Sequence, residues 1–415
     1  MQRARPALPQ PPAALSPRLA LFIATLRGSG AERSTVNLAN ALADRGHPVD
    51  LVLGIGGGPF LKLVKPDVRV VHLGARSALG ALALAPRRPR DFAALVPMLA
   101  SLDAPKTLGA IPRLASYLRR ERPRALLSAL DHGNIAAVIA RDIADVPTRI
   151  VISQRNHFSA DIDNAKRARV SRLGPLIGRF YPRADAIAAV SRGVADDLAD
   201  ELGLARERVV AVYNAVAGPE LTAQAEAPLD HPWFAEGLPP VILGVGKLKA
   251  QKDFPNLLRA FAELRRTRPV RLLILGEGPE RSALEAMARD LGVAGDVALP
   301  GFAENPFAYM ARADVFALSS AFEGLPGVLI QAIACGCPVV STDCPSGPDE
   351  ILEGGRHGRL VPVGDASALA RAMAATLDAP PDRDALKQRG GFFSAERAVD
   401  GYLDLLLDRP AAGEG

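Results

Sequence analysis

Aromatic side chains are scarce in this chain: Phe, Trp and Tyr together make up 5% of its 415 residues. A platform that stacks unpaired bases is therefore not its main business. Cysteine is scarcer still. Cys335, Cys337 and Cys344 crowd into one short segment, and three at this spacing make neither a disulfide framework nor a four-ligand zinc site. They read as small buried hydrophobes of a reducing compartment. Charge of one sign is lacking too, since 50 Lys and Arg face 45 Asp and Glu for a net +5. That mild basic bias suits anionic small molecules or an anionic lipid surface, whereas a nucleic-acid binder carries denser Lys/Arg stripes. His47, His72, His231 and His357 have no partner pattern, and no catalytic triad or metal-ligand spacing emerges. No apolar run of roughly eighteen residues is free of charge and turn signals, so no membrane-spanning helix is expected. Residues 1–18, rich in Pro, Ala and Arg, lack the continuous apolar core of a signal peptide and read as a disordered tail. The expected location is the cytoplasm.

What is present is alternation. A chain this long exceeds one compact core and suggests two domains. Strand-like runs at 19–26, 49–53, 68–72, 125–129, 149–153, 186–190 and 209–213 alternate with helical patterns, the mark of βαβ units building a parallel sheet. The helical pattern after the first run ends at Arg45-Gly46. Residues 74–123 fit no simple βαβ unit and hold helices of unreadable arrangement. Over 217–240 the period is lost, as in a connector. Alternation then restarts with runs at 241–245, 271–275, 297–299, 315–318, 338–341 and 359–361. The fold class expected is α/β: two doubly wound, Rossmann-like parallel-sheet domains facing a central cleft, over 19–216 and 241–394, joined by a linker at 217–240. A last helix at 395–407, with Ser394 as N-cap, is expected to pack back toward the first domain, within a C-terminal segment 395–415.

Several segments could carry chemistry. Glu323 sits on a Gly/Pro-rich turn, Glu323-Gly324-Leu325-Pro326-Gly327, that opens a helix. Unpaired amides and a partial positive charge at a helix start favour phosphate oxygens, leaving Glu323 to face sugar hydroxyls; alternatively it only complements the helix dipole. Gly246, Lys247 and Lys252 follow the run at 241–245, and two cations five positions apart would neutralise a diphosphate that gains charge on leaving. A solvated lysine cluster is the competing reading. The turn containing Gly301 and Phe302 would hold a nucleotide base through backbone groups. In the first half, Gly28-Ser29-Gly30 begins like a dinucleotide fingerprint but has Arg33 in place of the third glycine. A nicotinamide role is disfavoured, though the loop still suits a phosphate or sugar. His132, in Asp131-His132-Gly133-Asn134 ahead of a helix expected at 135–143, would face the cleft from the carboxyl edge unless Asp131 or Asn134 is a plain helix cap. Gln154-Arg155-Asn156-His157 repeats that placement. The pattern at 111–122, with Ile111, Leu114, Ala115 and Leu118 on one face and Arg113, Arg119, Arg120 and Arg122 elsewhere, makes a basic amphipathic helix. Such a face rests on anionic lipid or, more commonly, packs on its own sheet. Arg87, Arg88 and Arg90 lie nearby.

Taken together, Gly244-Val245-Gly246-Lys247-Leu248 with Lys252, the segments 299–305 and 313–316, and the stretch 323–348 resemble retaining glycosyltransferases of the GT-B fold, specifically bacterial family 4. The resemblance implies transfer of a hexose or N-acetylhexosamine from a UDP-sugar to a glycan or lipid-linked saccharide in surface-polysaccharide synthesis, with retention and with neither metal nor cofactor. It also implies a protein that is cytoplasmic or peripheral on the inner face of the membrane. By the same resemblance Lys247 and Lys252 bind the diphosphate, Glu323 contacts the donor sugar, His132 reaches the transferred sugar, and Gly28, Ser29 and Gly30 form the acceptor-side loop. Catalysis would rest on Glu323, His132 and Lys252, and donor binding would add Gly246, Gly301, Phe302, Gly324, Leu325, Pro326 and Gln331. The family has a second Glu eight residues after the first, and here that position is Gln331. An amide there still bonds ribose hydroxyls, but as a neutral group. A UDP-sugar 2-epimerase and a non-catalytic nucleotide-sugar-binding protein are the competing functions.

Overall fold

In the computed structural model, which describes residues 17–163 and 172–409, apolar runs without alternation become strands, and those inside each sheet are buried on both faces. β1 (Leu19–Ile23), β2 (Val49–Leu53), β3 (Val68–His72), β4 (Ala125–Ala129), β5 (Arg149–Gln154), β6 (Ala186–Ala189) and β7 (Val209–Ala211) form one sheet in the order β3-β2-β1-β4-β5-β6-β7. β8 (Val241–Val245), β9 (Arg271–Leu275), β10 (Val297–Gly301), β11 (Val315–Leu318), β12 (Val339–Thr342) and β13 (Arg359–Val361) form a second, in the order β10-β9-β8-β11-β12-β13. Every pairing between these strands is parallel. Two Rossmann-like sheets therefore stand where two runs of alternation were read.

The differences are local and have physical causes. β1 stops at Ile23, three residues short of the expected run, and Leu26 turns into the core beside β1. β12 starts at Val339 rather than at Pro338, which has no N–H to give to a ladder. β10 runs on through Pro300 to Gly301, so the expected loop begins later; its irregular register against β9 accommodates the proline. Residues 217–240 are not structureless, for they hold the helix Pro219–Glu226 and the 3₁₀ turn Pro232–Phe234. Between β3 and β4 the chain forms a 3₁₀ helix Ala78–Leu84, the helix Pro89–Leu99, a second 3₁₀ turn Lys106–Ala110, and the helix Ile111–Glu121.

The helix Ile111–Glu121 packs on its own domain. It buries Ile111, Leu114, Ala115, Tyr117 and Leu118. Arg113 donates to the carbonyls of Leu73 and Gly74, while Arg119 donates to those of Ile143 and Ala144 at the end of a neighbouring helix. Two of its arginines thus hold the domain together. Helix Ala395–Leu407, capped by Ser394, buries Val399, Tyr402, Leu403 and Leu406 in the same core as β1, β2 and β4. Arg149 donates to the carbonyl of Leu405 at 2.7 Å, fixing this last helix to the first sheet. Residues 1–16 of the expected tail, and 410–415, lie outside the described residues. Among the described residues no helix is long and apolar enough to cross a membrane.

Candidate active site

Strand order reverses once in each sheet, between β1 and β4 in the first and between β8 and β11 in the second. Open parallel sheets bind ligands in the crevice beyond the carboxyl ends of the strands at such a switch. The loops after these four strands hold Gly28–Gly30, His132, Lys247 with Lys252, and Glu323. The candidates from each half therefore meet at one switch point.

In the second sheet the two loops are laced together. Ser319 Oγ donates to the Lys252 carbonyl (2.8 Å), Gln251 Nε2 to the Phe322 carbonyl (2.9 Å), and Ala321 N to the Gln251 carbonyl (2.9 Å). This framework sets Lys252 Nζ 2.6 Å from Glu323 Oε1, an oxygen that also accepts from Ser320 Oγ at 2.6 Å. The Lys252 and Glu323 side chains are 14% and 9% exposed, so the pair is poorly screened. A Cβ on Gly246 would lie 3.3 Å from Lys252 Cε, so glycine leaves the lysine stem its place. Burial, and then the Glu323 charge, push the Cys344 thiol up to about 12, which leaves it inert. Lys247 is different. It is exposed and has no hydrogen-bond or ion-pair partner among the described residues.

Around this pair, Leu325 is buried and Pro326 is the N-cap of the helix Gly327–Ala334, on which Gln331 is half-buried. Gly301 ends β10 at φ +98, and a Cβ there would meet Glu277 Oε1 at 2.7 Å. Glu277 is ion-paired to Arg281, whose Nη1 donates to the Leu299 carbonyl at 2.9 Å. Phe302 follows, 75% exposed.

The first sheet's switch point is built differently from the expectation. Ser29 caps the helix Gly30–Asp44 in a capping box with Glu32. The Glu32 carboxylate accepts from Gly28 N (2.9 Å), Ser29 N (2.7 Å) and Thr25 Oγ1 (2.5 Å). Two amides of the supposed anion loop are thereby occupied. Burial raises the Glu32 carboxyl, but these bonds outweigh it and hold the group below its usual range. Space is open where a Cβ on Gly28 or Gly30 would stand, so the loop still allows close approach.

His132 lies in the first turn of the helix Asp131–Ala144, which begins four residues before the expected start. Neither Asp131 nor Asn134 is the cap, a position held by Leu130 at φ +71. Asn134 is fully buried instead, donating to the Ser153 carbonyl (3.1 Å) and the Tyr181 hydroxyl (2.8 Å). Tyr181 Oη lies 2.9 Å from Asp131 Oδ1 and 3.2 Å from Gln154 Oε1. The turn that carries His132 thus rests on a buried polar network. Of the 154–157 segment, Gln154 joins that network, Arg155 donates to Ser34 Oγ (2.9 Å) and to Asn214, and His157 sits 3.3 Å from Asp197.

The two walls touch. A Cβ on Gly324 would lie 2.0 Å from the Arg155 carbonyl oxygen, so only glycine permits this approach. Ser191 Oγ, after β6, donates to the Gly324 carbonyl (2.8 Å), and Glu350 accepts from Arg192 N (2.9 Å), Gly193 N (2.8 Å) and Tyr213 Oη (3.0 Å). The carboxyl edges of both sheets therefore face each other across a common cleft.

Residues 28–217 match the profile described as Glycosyltransferase Family 4, and residues 239–379 the one described as Glycosyl transferases group 1. The lipopolysaccharide core biosynthesis glycosyltransferase LpsE of Rhizobium meliloti is 35% identical over 249 residues, 58% of this chain and 70% of LpsE. The chain belongs to glycosyltransferase family 4. Another relative of this family 4 chain, from Campylobacter jejuni, is an N-acetylgalactosamine-N,N'-diacetylbacillosaminyl-diphospho-undecaprenol 4-alpha-N-acetylgalactosaminyltransferase, 32% identical over 261 residues, 63% of this chain and 68% of that one. Among solved structures, Anabaena HepE in complex with UDP-glucose shares the GT-B fold at a TM-score of 0.71 and 18% identity, covering 94% of this chain and 100% of HepE.

Several residues of this family 4 site escaped the sequence reading. Glu32 carried a legible signal, the Ser-x-x-Glu spacing ahead of a helix. Ser320 and Tyr181 carried none, because their partners are brought to them by tertiary packing.

Proposed function

We propose that this glycosyltransferase moves a hexose or N-acetylhexosamine from a UDP-sugar to a lipopolysaccharide-core or lipid-linked saccharide, with retention of configuration and without a metal. The observation that carries the reading is the poorly screened Lys252–Glu323 pair at the second sheet's switch point. Lys252, with Lys247 beside it, offsets the diphosphate charge, which grows as the sugar–phosphate bond breaks. Glu323 accepts from hydroxyls of the donor sugar, and Gly324, Leu325 and Pro326 present the start of the helix to the phosphates. Gly246 leaves room for this approach, Gly301 and Phe302 border the base, and Gln331 bonds the ribose as a neutral amide. From the other wall His132 reaches the transferred sugar, and the Gly28–Gly30 loop borders the acceptor through its open face rather than through the amides that Glu32 occupies.

In this scheme the acceptor hydroxyl oxygen attacks the anomeric carbon on the face from which UDP departs. The bond to the β-phosphate oxygen breaks, and that oxygen takes the hydroxyl proton. The activities of LpsE and of the Campylobacter relative support an acceptor of this class. The test is a panel of UDP-, GDP- and ADP-sugars offered to purified protein with a diphospholipid-linked saccharide. Transfer from a UDP-sugar is expected. Transfer from GDP- or ADP-sugars alone contradicts the donor assignment, and 2-epimerisation of the donor without an acceptor, read by NMR, contradicts the reaction.

A further inference from the structure

A cavity of about 640 Å³ lies far from the cleft, lined by Arg87, Arg88, Arg90, Arg179 and Arg183 with Asp91 and Asp142. Its place follows from the topology. The helix Asp131–Ala144 starts at the carboxyl edge of the first sheet and runs back, so Asp142 stands at the amino edge. That is about 15 Å along the axis from His132 at 1.5 Å per residue. Arg183 likewise precedes β6.

Five positive groups against two negative ones in one cavity repel each other unless something else holds them. Part of the hold is visible. Arg183 donates to both Asp91 oxygens (3.0 and 3.1 Å) and to Asp142, Arg179 donates to Asp91 (3.2 Å), and Arg88 pairs with Asp142 (3.0 Å). Arg179 and Arg183 also lie over the Phe180 ring, 5.8 and 5.0 Å from its centroid. The two aspartates, 8% and 14% exposed, thus fix three guanidinium groups in place. Among the described residues Arg87 and Arg90, both exposed, have no side-chain ion pair, and Arg88 Nε, buried and 3.9 Å from Asp91 Oδ2, donates no hydrogen bond. Oriented guanidinium forks with donors to spare match the geometry of phosphate oxygens.

We propose that this cavity is a second anion site, which binds a phosphate group carried by a lipid headgroup or free in solution. The lipid source is favoured by its surroundings. The segment 78–102, which supplies three of the five arginines, also exposes Leu79 (66%), Leu82 (52%), Val96 (43%) and Leu102 (111%). Apolar side chains beside a basic site suit the boundary between headgroups and acyl chains.

The test compares wild type with the double variant Arg87→Ala/Arg90→Ala, whose rim positions hold no ion pair and whose melting temperature is expected to stay unchanged. Arg371→Ala, an exposed position on the helix Ala366–Asp378 of the second domain, is the control. Sedimentation with equimolar phosphatidylglycerol–phosphatidylcholine vesicles, and not with phosphatidylcholine alone, is the expected result for a lipid phosphate. The double variant then binds roughly 30-fold more weakly, about fivefold per arginine, while Arg371→Ala binds as wild type does. If vesicles do not bind but inorganic phosphate or pyrophosphate raises the melting temperature of wild type and not of the double variant, the ligand is a phosphate in solution. Binding of neither probe, or binding that the double variant leaves intact, overturns the proposal. Should the double variant melt early, Arg90→Gln alone is read by the same criteria.

Discussion

Replacing Glu323 by Gln separates two roles that a simple site mutation would merge. In the unliganded protein Glu323 is the counter-ion of Lys252, at 2.6 Å and with both side chains largely buried. A diphosphate arriving at Lys252 must compete with that carboxylate. A charge-assisted hydrogen bond of this kind contributes about 1.5–3 kcal/mol, so removing the competing charge frees the ammonium. UDP affinity of Glu323→Gln is therefore expected to stay level or rise by up to about tenfold, the equivalent of ~1.4 kcal/mol. Turnover moves the other way, because an anionic acceptor on the reacting sugar is lost. A fall of about 10²–10³ in kcat matches the loss of one preorganised electrostatic contact. Leaving Lys252 without its counter-ion also costs about 1–3 kcal/mol of stability. Calorimetric titration with UDP, initial transfer rates and a thermal melt read the three effects. A parallel fall in UDP affinity and turnover, in a protein that melts normally, would refute the competition argument.

Other expectations follow from the same geometry. Gly324→Ala places a methyl 2.0 Å from a backbone oxygen on the opposite wall, where neither partner can yield; overpacking of about 1–3 kcal/mol should part the walls, giving a larger radius of gyration in solution scattering and slower transfer, and wild-type values for both would contradict it. Gln331→Glu should leave transfer and UDP affinity unchanged or improved, and a clear loss of either would show that the amide is needed. Asp50, fully buried on β2, accepts from Arg69, Arg18 and Tyr117. Burial raises its carboxyl, but those bonds outweigh it and hold the group below its ordinary 3.8. A depressed folded pKa contributes stability that is complete above the unfolded value and lost as pH falls through the folded one. Wild type should therefore lose stability below about pH 4. Asp50→Asn should be about 2 kcal/mol less stable at neutral pH, a figure discounted because Arg69 and Arg18 are 45% and 40% exposed, and should show a shallower acid dependence in urea melts. Equal acid slopes would count against the assignment.

Strands of this protein were legible because parallel sheets covered on both faces leave unbroken apolar runs, as at Leu51 to Leu53 or Leu272 to Leu275. Loops carrying Lys252 and Glu323 could be singled out by residue type. Their meeting could not, because it depends on β8 and β11 being neighbours although 69 residues of chain, including two other strands, lie between Val245 and Val315. Arg87 and Arg183 show the same limit, brought into one cavity by the packing of unrelated helices. The helix at 131–144 was placed late because Asp131 to Asn134 read as a cap, whereas Asn134 is buried under the turn by Tyr181 and Ser153. Polar residues used for buried networks look like surface caps in a sequence, and only tertiary contacts tell them apart.

The account rests on two ammonium groups offsetting a diphosphate beyond β8. Titrating UDP into a Lys247→Met/Lys252→Met variant tests this most directly, with circular dichroism confirming the fold. Loss of affinity by about 10²-fold or more is predicted, at roughly 1.5–3 kcal/mol for each charge-assisted contact. Wild-type affinity in the folded double variant would contradict the central claim.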